Sequence, residues 1–200
     1  MLEWELPVGP PRVALVCHPH PQYGGTLHNK VVFRVAKAAL QAGLPTLRFN
    51  FRGVGKSQGA FAGGVGERED LRAALDYLQG RFPEAPVCLM GFSFGAWVGL
   101  TVGASDPRVG ALVGLGVPVA TADFSFLRGF SKPKLIIQGT RDEFGPREQV
   151  EKLYNSLAGP RQLHWVQDAD HFFTGQLAEV QAVVREFLLE ILPRDSSTGK

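Results

Sequence analysis

A chain of 200 residues is long enough to bury one sizeable core and short for two independent domains, so a single domain over residues 1–192 is expected. With 44% hydrophobic and 20% charged residues, and 24 glycines and 14 prolines to supply turns, the composition is that of an ordinary globular protein and excludes fibrous and disordered classes. Twenty-one Lys and Arg are interspersed with nineteen Asp and Glu, and a net charge of +2 excludes a basic patch of nucleic-acid size, leaving a small or neutral substrate as the better partner.

The opening stretch "MLEWELPVGPPR" has neither a basic n-region nor an uninterrupted apolar run. No later run approaches the length that spans a bilayer, so no membrane partner and a cytoplasmic location are expected. "RVALVCH" (12–18) is the first of several short, nearly continuous apolar runs; the others are "LPTLRFNF" (44–51), "APVCLMGF" (85–92), "RVGALVGLG" (108–116), "PKLIIQG" (133–139) and "RQLHWVQ" (161–167). Such runs suit strands covered on both faces of a mostly parallel sheet. Cys17 and Cys88 fall inside two of them with no second cysteine at a redox or metal spacing, and read as buried free thiols, with a disulfide between them as the alternative. Between the runs lie helical spacings. "HNKVVFRVAKAALQAG" repeats Val31, Val35 and Ala39 and stops at Gly43; further helices are expected from about Glu67 to Gln79, from near Ser93, and from Gln176 to Leu192. The alternation predicts an α/β fold, a mostly parallel twisted sheet flanked by helices on both faces. Polar "PRDSSTGK" (193–200) reads as a flexible tail.

"FNFRGVGKSQG" (49–59) contains Gly-Val-Gly-Lys-Ser, which suggests a phosphate loop. A phosphate loop needs Gly-x-x-x-x-Gly-Lys-Ser/Thr, and counting back from Gly55-Lys56 puts its first glycine at Asn50. A dinucleotide fingerprint fails at Gln58, where glycine or alanine is required. The loop belongs to another kind of site, and no cofactor is expected.

Gly91-Phe92-Ser93-Phe94-Gly95 directly follows an apolar strand and directly precedes a helical pattern. A serine presented at such a sharp strand-to-helix turn is a nucleophile elbow, with small residues on either side because larger ones collide with neighbouring backbone. Its hydroxyl lies at the positive end of a helix, and the Phe94 N–H points toward a developing oxyanion. A serine needs a base, and on this kind of fold the chain order is serine, acid, histidine. Asp142 stands just past the strand in "LIIQGTRDEF", and His171 stands in "QDADHFF" after the last strand. Ser93, Asp142 and His171 are therefore the expected catalytic residues. Glu143, Asp168 and Asp170 are the rival acids, and His164, inside a strand-like run, reads as structural.

"CHPHPQYGGTLHNK" ends the first strand, where a second oxyanion donor is expected; Pro19 and Pro21 have no N–H, and His20 is the preferred donor over Gln22 and Tyr23. His18 and His20 could instead face one metal, but no further Asp or His follows at ligand spacing, and no metal is expected. Gly24 and Gly25 suit close backbone approach beside the site.

On "CHPHPQYGGTLHNKVV", "FNFRGVGKSQG", "MGFSFGAW", "IIQGTRDEF" and "DADHFF", the chain resembles the α/β-hydrolase superfamily from about Pro11 to Leu192, and more narrowly the small lidless bacterial serine hydrolases related to dienelactone hydrolase. The resemblance implies that the Arg52-Gly53-x-Gly55-x-Ser57 loop shapes a pocket wall. Position 93 is serine where dienelactone hydrolase is similar but uses cysteine, so dienelactone is not implied as substrate. Only Val117 to Lys132 lies where many members carry a cap, too short for a helical cap domain. An open site lined by Tyr23, Phe92, Phe94 and Phe172 is expected to take small or short-acyl esters, with thioesters or amides as alternatives on the same residues. A noncatalytic binding module on a hydrolase fold is the reading from another class.

Overall fold

The computed structural model describes residues 12–192. The expected tail at 193–200, and residues 1–11 of the expected domain, lie outside the described residues. Six strands, β1 (Val13–Cys17), β2 (Thr46–Arg48), β3 (Val87–Phe92), β4 (Val109–Leu115), β5 (Lys134–Gly139) and β6 (Arg161–Val166), form one sheet in the order β2-β1-β3-β4-β5-β6. Every neighbouring pair is parallel. The chain winds outward from β1 to β2 and then crosses back to β3. The loops that follow β1 and β3 therefore diverge and open a crevice at the carboxyl ends of the strands.

Both sheet faces are covered, which is why the strands read as continuous apolar runs. Val13, Leu15, Cys17, Val87 and Leu89 face one core together with Leu71, Leu75 and Leu78 of α2 (Val65–Arg81) and Val98 and Leu100 of α3 (Phe94–Gly103). Ala14, Val16, Cys88, Met90 and Phe92 face the other, filled by Val31, Val32 and Val35 of α1 (Lys30–Gln41) and by Val180, Val184 and Leu188 of α5 (Leu177–Ile191). The two cysteines are free and buried.

Helix starts have local causes. Asn29 caps α1, its side chain accepting from the N–H of Val31 at 2.9 Å. Glu67, fully buried, accepts from the N–H groups of Ala62 and Gly64 at 2.9 and 2.7 Å and so closes the first turn of α2. The second strand is shorter than expected because its continuation leaves the ladder: Asn50 Oδ1 accepts from Leu27 N–H, and Phe51 N–H donates to His18. The helix α4 (Arg147–Ser156) has no counterpart in the sequence reading, since Val150 is its one buried residue and its apolar stripe is too thin to register. Among the described residues no helix is long and apolar enough to cross a membrane.

Leu89 is fully buried in the middle of β3, and its truncation leaves a cavity that rigid neighbours cannot fill. Leu89→Ala should lower the unfolding free energy by about 2–5 kcal/mol, read from the midpoint of urea denaturation.

Candidate active site

Ser93 occupies the single residue between β3 and α3 with φ 55° and ψ −121°. A non-glycine residue held there costs roughly 1–3 kcal/mol and persists only where its surroundings over-determine it. Here the Ser93 N–H donates to the Leu115 carbonyl at 2.9 Å, while its own carbonyl accepts from Ala96 and Trp97 at 2.9 and 3.1 Å. The flanking glycines have steric reasons. A Cβ at Gly91 would lie 2.3 Å from the Gly95 carbonyl oxygen, and one at Gly95 would lie 2.3 Å from that of His18.

The side chain of Ser93 meets two groups from distant parts of the chain. His171 Nε2 lies 2.9 Å from Ser93 Oγ, and its Nδ1 lies 2.8 Å from Asp142 Oδ2. Asp142 and His171 are both buried. Asp142 is gripped further: the Phe144 N–H donates to Oδ1 at 2.9 Å, and Gln138 Nε2 donates to Oδ2 at 2.7 Å. Gln138 is itself oriented, because the Val117 N–H donates to its Oε1 at 2.9 Å and leaves only the NH2 end to face the aspartate. His171 Nδ1 therefore carries the proton given to Asp142, and the bare Nε2 faces the serine hydroxyl. Sequence reasoning missed Gln138; its signal was a lone amide, fully buried, in an otherwise apolar strand.

The rival acids are occupied elsewhere. Asp168 pairs with Arg141 at 2.8 Å, both exposed. Asp170 accepts from the N–H groups of Phe172 and Thr174 at 3.0 Å, and these bonds, that of Thr174 foremost, hold its carboxyl below the usual range while shaping the loop that carries His171. Glu143 sits at the cleft rim, and His164 bonds Glu179 at 2.8 Å.

In the first loop, His18 is fully buried. The Phe51 N–H donates to its Nε2 at 3.0 Å, so Nδ1 carries the proton and donates to the Pro19 carbonyl at 2.6 Å. Both nitrogens are engaged, which leaves no lone pair for a metal shared with His20. This histidine ties the first loop to the Arg-Gly loop, which is tied in turn to α2 by Arg52 hydrogen-bonding Asp70 through its side chain and its N–H. Ser57 Oγ donates to the Asn50 carbonyl at 2.9 Å, so the segment that resembles a phosphate loop is closed on itself. Gly25 allows the turn after His20, since a Cβ there would lie 2.1 Å from the Pro19 carbonyl oxygen.

A cleft of about 810 Å³ opens over Ser93. Tyr23, His20, Phe94 and Phe172 line it together with Phe61, Trp97 and Phe144, which sequence reasoning did not assign to the site. Phe92 does not line it. The alternation of β3 turns Phe92 onto the α1/α5 face, where it is buried beneath His171 with ring centroids 5.2 Å apart. Phe94 is the first residue of α3, where an N–H has no intrahelical acceptor. The His20 N–H has no partner among the described residues. Among the described residues no cap covers the cleft: in the connector between β4 and β5, Phe124, Leu127 and Phe130 are buried against the α2/α3 core instead of reaching over Ser93.

An open parallel sheet with a serine at the strand-to-helix turn is the architecture of a hydrolase, and the chain belongs to the alpha/beta hydrolase family, whose domain model matches residues 23–182. More narrowly it groups with the lidless bacterial serine hydrolases. It is similar to an alpha-beta serine hydrolase homologue from Coxiella burnetii, at 41% identity over 90% of this chain and 86% of that one, with a TM-score of 0.83. An alpha/beta serine hydrolase without a lid from Xanthomonas campestris is 35% identical over 96% of this chain and 86% of its own, with a TM-score of 0.84. An uncharacterized protein of Rickettsia prowazekii is 40% identical over 189 residues, 90% of this chain and 79% of the relative.

Burial pushes the His18 ring below its ordinary value, against a smaller opposing effect of its bond to Pro19. The unfolded chain then binds a proton that the folded one does not, so this contribution to stability is complete above about pH 6.5 and is lost as pH falls below it. Urea midpoints measured at about pH 7.5 and about pH 5 should therefore differ more for the wild type than for His18→Asn.

Proposed function

We propose that the protein is a serine hydrolase that cleaves small carboxylic esters through an acyl-enzyme intermediate. One observation carries the reading: His171 Nε2 stands 2.9 Å from Ser93 Oγ while its Nδ1 is held by buried Asp142. Ser93 Oγ attacks the ester carbonyl carbon as His171 Nε2 takes the hydroxyl proton. The carbonyl oxygen becomes an oxyanion that accepts from the backbone N–H groups of Phe94 and His20. On collapse the bond to the leaving oxygen breaks, and His171 returns the proton to it, releasing the alcohol. Water then attacks the acyl-serine carbonyl, giving one proton to His171 and its hydroxyl to the acyl carbon; the serine oxygen leaves and recovers that proton. Asp142 holds the ring and stabilises the imidazolium without moving a proton.

The open cleft supports a small, soluble substrate, and among the described residues no side chain lining it is Lys or Arg, which disfavours an anionic substrate. Unpaired Cys17 and Cys88 suit a reducing compartment such as the cytoplasm.

Ser93→Ala should abolish hydrolysis of p-nitrophenyl butyrate by a factor on the order of 10⁴–10⁶ with the circular dichroism spectrum unchanged, and a fluorophosphonate probe should label Ser93 in the wild type alone. A folded Ser93→Ala that keeps most of its activity refutes the assignment. Asp142→Asn should cost less than His171→Ala, because the aspartate orients and does not transfer. Along linear p-nitrophenyl esters, kcat/KM should peak between acetate and butyrate and decline by octanoate, since methylenes beyond the uncovered cleft gain far less than the roughly 0.8 kcal/mol of full burial. A maximum at dodecanoate, measured below the micelle concentration, contradicts this.

A further inference from the structure

One flank of Ser93 is a continuous band of aromatic rings. His20 packs against Tyr23, Phe61 and Phe94 with centroids 4.7, 4.7 and 4.9 Å apart. Phe61 lies 5.7 Å from Phe94, and Phe94 lies 6.0 Å from Trp97. Phe61 and Trp97 are only partly buried, and both line the cleft. Phe61, Phe94 and Trp97 belong to the α2/α3 side of the sheet. His171 stands on the other side, with Phe92 beneath it at 5.2 Å and Phe144 and Phe172 beside it at 4.6 and 5.3 Å.

This division sorts the two ends of an ester, on the hydrolytic reading above. The leaving oxygen must reach His171 Nε2 to take up the proton that came from Ser93, which puts the alcohol on the side of Phe144 and Phe172. The acyl substituent is then directed away from His171, over Phe94 toward Phe61 and Trp97. We propose that this lobe is an acyl subsite for a planar aromatic group, and that the preferred substrates are uncharged esters of arylalkanoic or arylalkenoic acids. Two physical terms favour an aryl group over an alkyl chain of the same carbon count. Ring edges and faces offer tilted and edge-on contacts that a methylene chain cannot make. A flexible chain in a half-open cleft also loses torsional freedom for each partly buried carbon, whereas a ring arrives already rigid. Among the described residues no Lys or Arg lines the cleft and Glu143 lies at its rim, so a further carboxylate or phosphate on the ring meets no cationic Lys or Arg among them.

The test compares p-nitrophenyl 3-phenylpropanoate with p-nitrophenyl nonanoate, which carry the same number of acyl carbons, and p-nitrophenyl acetate as the reference. The aryl ester should exceed the linear one in kcat/KM by about tenfold. In Trp97→Leu, and separately in Phe61→Leu, whose loop position makes misfolding less of a risk, the ratio should fall toward unity. Binding of methyl 3-phenylpropanoate and methyl nonanoate to Ser93→Ala, measured by calorimetry, gives a readout that needs no turnover. Acetate turnover with no aryl preference, or a preference unchanged in both variants, overturns the subsite and leaves the hydrolase reading standing. Aryl-selective binding that both variants weaken, without turnover of any ester, supports the subsite and overturns the hydrolase reading instead.

Discussion

The close approach of the first turn of α3 to the end of β1 governs the geometry of the site. With no side chain at Gly91 or Gly95, the helix begins within van der Waals reach of the Cys17 and His18 carbonyls, and the one residue left between strand and helix is forced to a positive φ. That residue is Ser93. Its hydroxyl has no freedom to turn back into the core, and the free N–H groups at the start of α3 stand beside the loop that follows β1. A Cβ on either glycine pushes the helix away and removes the elbow's cause, whatever else is kept. The loop after β1 then depends on His18, whose two nitrogens fix it to Phe51 on one side and to its own backbone on the other. Arg52 and Asp70 carry that connection into α2. Asn50, Phe51 and Arg52 thus brace the loop after β1, and the Gly-Val-Gly-Lys-Ser run folds back onto them through Ser57, contacts that sequence alone does not bring together.

What the sequence made legible follows from periodicity and from local stereochemistry. Buried parallel strands are apolar on both sides, so five of the six runs fall on strands with small end shifts. The elbow was readable because its glycines and serine sit within five residues, where sterics are local. Residues such as Gln138, Phe61 and Trp97 were not readable, because each acquires its place from long-range packing. Gln138 is oriented toward Asp142 only by the Val117 N–H, from the segment after β4, and Phe61 and Trp97 are brought into one band only through Phe94, which lies 5.7 and 6.0 Å from their rings. Phe92 went wrong for a related reason: it lies within the motif, yet strand alternation turns it to the opposite face from Phe94. The short α4 escaped because only one of its residues is buried.

Ser93 and the two groups that gather at it come from strand ends far apart in sequence: His171 is 78 residues from Ser93 and 29 from Asp142. Asp142 follows β5, an interior strand, and Ser93 follows β3 at the centre of the sheet. His171 follows β6, which is the last strand of the order and, among the described residues, is paired on one side only, to β5. Proteins open first where backbone pairing is thinnest, and such local openings need less free energy than global unfolding. His171 thus hangs on the margin of the sheet while Ser93 sits in its middle. Fraying of β6 would draw the imidazole away together with Val166, Ala169 and Phe173 of the α1/α5 core, while the elbow between β3 and α3 stays formed. Such an opening would part the imidazole from Ser93 at a free energy below that of global unfolding, and would reverse when the margin re-pairs.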